Sequence, residues 1–159
     1  MNAELLEAIQ SLDAVARRHG FRNIFQPGLA KELLIASVLG HTRHDAKHGH
    51  DAETPDGKLC EYLSCKVGGA GQLASMYREP EESRQKSLAR IERNDHIYLV
   101  IFDPEIATKI LRIYELDKIK VLDEVTRQID NSRNVVVQVT VYENFAIQVG
   151  KLVYSAPPV

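Results

Sequence analysis

The sequence predicts an α/β fold in which a mixed central sheet is flanked by helices, and three observations carry that prediction. Near the N-terminus apolar residues recur at helical spacing: Leu5, Leu6, Ile9, Leu12 and Val15, then Leu29, Leu33, Leu34, Val38 and Leu39. Further on, "HIYLVIF" at 96–102 is a continuous apolar run suited to a strand buried on both faces. Helical and strand patterns then alternate to the end of the chain. With 159 residues, 44% of them hydrophobic, and no linker, repeat or low-complexity tract, a single domain over 1–159 is expected.

The elements follow in order. The first helix carries Arg17, Arg18 and His19 in its last turn and stops near Gly20, and the second stops at Gly40. "HTRHDAKHGH" is polar and histidine-rich and reads as a loop. Strands near 50–53 and over 59–67 are joined by "TPDG", a turn signal because Asp-Gly favours positive φ. Gly68, Gly69 and Gly71 break the pattern, and 83–93 is helical. After the strand at 96–102 come "TKILRIYEL" as a strand, "DKIKVLDEVTRQI" as a helix, "NVVVQVTVY" as a strand and "FAIQVGKLVY" as a last strand.

A net charge of −2 argues against a generic polyanion binder, so any nucleic-acid surface must come from local clustering. "RQKSLARIER" is such a cluster: Arg84, Lys86, Arg90 and Arg93 stand against one acid, Glu92. It reads equally as a solvated helix face or a phosphate-contacting one. Cys60 and Cys65 lie at odd spacing in one predicted strand, face opposite sides and cannot pair within it, so both are expected as buried free thiols. The start "MNAELLEAIQ" has no basic region followed by an apolar one, and no apolar run approaches the ~18 residues of a membrane span. The expectation is a soluble cytoplasmic protein without a membrane partner.

Metal-dependent phosphodiester hydrolysis needs acids to hold a divalent cation and a lysine to polarise water or the scissile phosphate. Asp51 stands on one side of the turn. On the second strand Tyr62, Ser64 and Lys66 share one face, while Glu61, Leu63 and Cys65 share the other. A regular strand therefore aims Lys66 with Ser64 and away from Glu61. The bland reading is a common Asp-Gly hairpin whose lysine ends in solvent. A zinc site at His41, His44, His48 and His50 with Asp45 and Asp51 lacks the regular spacing that marks one.

The stretch "HGFRNIFQPGLAKELLIASVLG", then "GHDA", a turn closing in Gly57 and "EYLSCK", resembles the PvuII-type restriction endonucleases of the PD-(D/E)xK superfamily. The specific part is 19–66; beyond it the agreement is mainly in the order of elements. The resemblance implies a restriction-endonuclease-like fold, Mg²⁺ as cofactor, double-stranded DNA as partner and a homodimer. It makes Asp51 the metal-bridging acid and Lys66 the catalytic lysine, with the backbone carbonyl of Cys65 on the metal.

The second acid departs from that pattern. Aligned on the lysine, Ser64 takes its place; aligned on the turn, Glu61 does. A bulge between Glu61 and Lys66 would swing Glu61 to the Asp51 side. Alternatively "SCK" is similar to the serine variant in the NgoMIV-like group, where an acid from a following helix takes over; Glu79, Glu81 or Glu82 would supply it, Glu79 fitting best. The third arrangement is an inactive enzyme. The migrated acid is the preferred of the three.

For reading DNA, the resemblance points to 68–86 and to "NSRN". Gln72, Arg84, Gln85, Lys86, Asn131 and Arg133 have suitable chemistry, since Arg pairs with guanine and Gln or Asn with adenine. The apolar stripe Leu5 to Val15 is a candidate dimer surface or ordinary core packing. The leading expectation is a homodimeric, Mg²⁺-dependent type II restriction endonuclease. The alternatives are a junction or repair nuclease, a DNA-binding module on the same fold that does not cut, and a small structural dimerisation protein.

Overall fold

A computed structural model of the chain describes residues 2–43, 49–73 and 75–157. It contains helices α1 (Asn2–Arg18), α2 (Leu29–Leu39), α3 (Glu81–Glu92), α4 (Lys118–Asn131) and α5 (Glu143–Val149). The strands are β1 (Ala52–Glu53), β2 (Leu59–Lys66), β3 (Ala70–Gln72), β4 (Met76–Tyr77), β5 (His96–Phe102), β6 (Ile110–Leu116), β7 (Val136–Val137), β8 (Thr140–Tyr142) and β9 (Gly150–Ser155). The central sheet runs β1-β2-β5-β6-β9, with β2 and β5 parallel and the other pairs antiparallel. Two further pairs, β3 with β8 and β4 with β7, are antiparallel ribbons. The mixed α/β class expected from the sequence is what the chain adopts. No helix among the described residues is long and apolar enough to cross a membrane.

The sheet separates two apolar layers. On one face Leu63, Cys65, Ile97, Leu99 and Ile101 meet Val121, Val125 and Ile129 of α4 together with Ile91 of α3. On the other, Cys60, Tyr62, Tyr98, Val100 and Phe102 meet Ile35 and Ala36 of α2. Strand β5 alternates its side chains into both layers, which is why its sequence is apolar without a break. The two cysteines lie one in each layer, free and buried, as the odd spacing requires. Gly40 ends α2 in the left-handed region at φ 70°, and Asp117 caps α4 by accepting from the backbone N–H of Ile119 and Lys120 at 2.9 and 3.1 Å.

Three expectations are corrected. Of the segment 145–154, expected as one strand, 145–149 belongs to helix α5, and the final strand starts at Gly150. A Cβ at Gly150 would lie 2.7 Å from the Ala146 carbonyl oxygen and 2.9 Å from that of Glu115, so the chain passes from helix to strand where only hydrogen fits. The strand expected over 134–142 is two short strands, β7 and β8, each paired with a ribbon partner from 70–77. The glycine-containing stretch after β2 is itself strand β3, laid so close over the sheet that a Cβ on Gly71 would be 2.7 Å from Leu99 Cδ1 and 2.9 Å from Leu63 Cβ.

Candidate active site

The hairpin β1–β2 sets the site. Thr54 and Lys58 close its turn, with Gly57 at φ 80° and the Thr54 N–H donating to the Lys58 carbonyl at 2.9 Å. Pairing of Ala52 with Cys60 and Glu53 with Leu59 continues one residue further, because the Asp51 N–H donates to the Cys60 carbonyl at 2.8 Å. Asp51 Oδ2 accepts from the Tyr62 N–H at 2.7 Å, which locks the carboxylate against β2. Opposite positions of an antiparallel pair share a face, so Asp51 and Glu61 come together.

Both carboxylates line a cavity of about 240 Å³ between the start of α2 and the end of α3. Glu32 of α2, Arg43, and Arg90 and Arg93 from the C-terminal end of α3 complete its charged wall. Arg43 Nε donates to Glu32 Oε2 at 2.7 Å in a nearly buried ion pair. Among the described residues neither Asp51 nor Glu61 is in an ion pair of that kind. Burial raises the Asp51 pKa to about 6; the Tyr62 N–H and Arg43 pull it down, while Glu32 adds to the rise. Glu61 is pushed up to about 8, first by burial and then by Asp51, against a pull from Arg93 and Arg90.

Asn94, fully buried, ties this corner together. Its side-chain N–H donates to the Arg90 carbonyl at 3.0 Å and more weakly to Glu61 Oε2 at 3.4 Å, and its own carbonyl accepts from Lys118 Nζ at 2.9 Å. Asn94 Oδ1 is the one buried side-chain polar atom without a hydrogen-bond partner among the described residues.

The expected site residues divide sharply. Asp51 and Glu61 are brought together, and without a bulge: β2 keeps an unbroken register with β5 from Cys60–His96 to Lys66–Phe102. Lys66, five residues along and on the opposite face, donates from Nζ to the Pro104 carbonyl at 3.0 Å and does not line the cavity. Ser64 lines a separate cavity, also about 240 Å³, with Lys31, Tyr62 and Gln72. Cys65 packs in the apolar layer, away from Asp51 along the strand. The preferred migrated acid is not assembled: Glu79 is exposed and ion-paired to Arg78 at 2.7 Å, and Glu81 and Glu82 accept from Gln85 and Lys86 on α3's outer surface. Position 63, where the motif's lysine would follow Glu61, holds Leu63, packed in the core.

Of the residues expected to touch DNA, Arg84 is ion-paired to Asp130 of α4 at 2.7 Å and Lys86 to Glu82 at 2.6 Å, so both already have acidic partners. Gln72, Asn131 and Arg133 are exposed, on β3, at the end of α4 and just after it. His44, Asp45 and His48 lie outside the described residues, while His50 meets Glu53 Oε1 at 3.1 Å. Sequence reasoning missed Glu32 and Arg43. A glutamate one turn from buried Leu29 in a mainly apolar helix was the available signal for Glu32, and it is a weak one.

The chain matches no protein-family model, and no curated protein matches it.

Proposed function

We propose that this chain is a Mg²⁺-dependent endonuclease acting on double-stranded DNA as a homodimer, with a restriction-endonuclease-like fold and its active centre at Asp51 and Glu61. One observation carries the reading: two carboxylates opposite each other across the hairpin, lining one cavity with their pKa values raised by burial, make a site that gains by accepting a cation. Among the described residues no group of three or more His, Cys, Asp or Glu side chains is close enough to cage a metal. Two carboxylates suit Mg²⁺ all the same, because that ion keeps several waters and takes one or two protein carboxylates.

Asp51 and Glu61 would hold the cation. When bound, it lowers the pKa of a water and offsets charge on the phosphate. The chain itself does three things. The Tyr62 N–H fixes the Asp51 carboxylate, Asn94 steadies Glu61, and the Glu32–Arg43 pair closes one wall with no net charge. Hydrolysis adds one water across the phosphodiester. An O–P bond forms, the bond from phosphorus to the 3′ oxygen breaks, the water's proton passes to solvent, and the 3′ oxygen takes one back. A 5′ phosphate remains.

The homodimer is supported by α1. Leu5, Leu6, Ile9, Leu12 and Val15 are exposed along it, so the stripe is not spent on this chain's own core. Glu4 and Glu7 lie at one end and Arg18 at the other, beside Arg17, which pairs with Asp13 of its own helix at 2.7 Å; a second copy running antiparallel sets the acidic end opposite Arg18 under a two-fold axis.

The test is incubation of plasmid DNA with the protein in Mg²⁺, beside EDTA, Asp51→Asn and Glu61→Gln. Discrete fragments in the first lane alone are expected, and thermal unfolding should shift upward with Mg²⁺ for the unmodified chain only. Intact DNA together with an unmoved unfolding temperature would overturn the proposal. A second reading, a module that grips duplex DNA without cutting it, is favoured by Leu63 standing where the motif needs a lysine. A gel shift in Ca²⁺ alongside uncut DNA in Mg²⁺ would select it.

A further inference from the structure

We infer that Arg90 and Arg93 of α3 form a phosphodiester-binding subsite facing Asp51 and Glu61, and that this pair, rather than Lys66, supplies the site's cationic side. The inference rests on the nuclease reading and adds residues that the resemblance does not supply.

Strand β2 brings no cation to the acids. On Glu61's face the next side chain is Leu63, 1% exposed, and Lys66 points the other way onto Pro104. Helix α3 arrives over the same corner and brings two. They differ from the helix's other cations in how they are held: Arg84 and Lys86 are bound to Asp130 and Glu82, whereas neither the Arg90 nor the Arg93 guanidinium has a hydrogen bond or ion pair among the described residues. Both line the cavity of Asp51 and Glu61, and both are exposed enough to meet a ligand.

The Arg93 side chain and the backbone of Arg90 each have a defined place. Arg93 lies flat against Gly49, which sits at φ +86°; a Cβ there would collide with three guanidinium atoms. The missing side chain at Gly49 leaves the space that the guanidinium occupies beside the cavity. Asn94, the next residue, holds the Arg90 carbonyl and Glu61 through one side-chain nitrogen, so the helix end and the acid keep a fixed relation.

Charge gives the ligand class. Asp51 and Glu61 carry −2 when ionised, Glu32 and Arg43 cancel, and Arg90 and Arg93 carry +2. Once a divalent cation rests on the two acids, these six described side chains carry an excess of two positive charges, which an incoming anion offsets. Guanidinium forks match the paired non-bridging oxygens of a phosphodiester.

The test uses a fluorescein-labelled duplex of mixed sequence in Ca²⁺, with binding followed by anisotropy over a salt series. Cleavage in Mg²⁺ is measured in parallel for the unmodified chain, Arg90→Gln/Arg93→Gln, Arg93→Lys, Lys66→Ala and Arg127→Gln. We expect the double variant to bind roughly tenfold more weakly or worse, with its log–log salt slope shallower by about 2, near 1 for each phosphate deprived of its arginine. Arg93→Lys keeps the slope and loses affinity, because the charge stays while the fork goes. Arg127, paired with Glu124 on α4, serves as the control. Unchanged affinity and slope in the double variant overturn the subsite, and so does a loss confined to Lys66→Ala. If the unmodified chain cuts and the double variant cuts equally, the subsite falls and the nuclease stands. If binding depends on the arginines but no DNA is cut, the nuclease falls and the subsite stands. If the unmodified chain does not bind duplex at all, both fall.

Discussion

His41 sits where α2 meets the sheet, its Nδ1 2.7 Å from the Tyr62 hydroxyl and its ring 5.6 Å from that of Tyr98. Burial lowers its pKa below the usual 6.5, His96 lowers it further, and Glu115 partly opposes them. A histidine whose folded pKa is depressed stabilises the fold above the unfolded value, and that stability is lost as pH falls from about 6.5 through the folded value. His41→Gln, which keeps a polar partner for Tyr62 but cannot take a proton, should lose less stability between pH 7.5 and 5 than the unmodified chain in urea unfolding. A parallel pair of curves would remove the histidine from the acid response. Gly71 gives a prediction of another kind, because its neighbours Leu99 and Leu63 are core side chains with nowhere to move. Gly71→Ala should cost about 1–3 kcal/mol by overpacking, read from the urea midpoint at constant slope.

At the level of elements, α1 is the least embedded helix: Ala16 near its end is buried against Ile24 and Leu29, while its apolar stripe faces outward. Leu6→Glu with Ile9→Glu should leave the fold intact and shift sedimentation from dimer to monomer; a monomeric unmodified chain at the same concentration would refute the pairing. How legible each element was follows from length and location. Helices α1, α2 and α4 show a full apolar period, and β5 shows an unbroken apolar run, so the sequence exposes them. Helix α5 has seven residues, too few to display a 3.6-residue period, and its Phe145, Ile147 and Val149 alternate as a strand would. The ribbons of β3, β4, β7 and β8 are two or three residues each and exist through pairing across distant sequence, which no local pattern records. The site divides in the same manner. Asp51 and Glu61 are neighbours across a hairpin and could be read from its turn. Alignment on Lys66 pointed elsewhere, and only the regular two-residue alternation of β2 warned that lysine and acid face apart. Arg90 and Arg93 stood out as part of a basic cluster; the pairing of Lys86 with Glu82 is local to α3, but that of Arg84 with Asp130 depends on where α3 lies against α4. Glu32 and Arg43 depend on how α2 docks at the edge of the sheet.

Across the whole molecule, one sheet serves two apolar layers, and the acid site lies where hairpin, α2 and α3 meet at its β1 edge. A ligand there touches both helical sides, so its binding should stabilise the chain as a unit. Saturation to about 100 times the dissociation constant is worth roughly 2.7 kcal/mol of unfolding free energy. Mg²⁺ should therefore raise the whole unfolding transition of the unmodified chain and leave Asp51→Asn unmoved; separate shifts of two transitions would mean the layers melt independently. The two cysteines allow that question to be asked chemically. Cys60 and Cys65 lie on one strand yet in different layers, and burial raises both thiol pKa values, to about 12 at Cys60. Each therefore becomes reactive when its own side of the sheet opens. A brief pulse of maleimide followed by peptide mass mapping turns β2 into a two-channel recorder of native-state breathing, with one thiol timing the departure of α2 and the other that of α4.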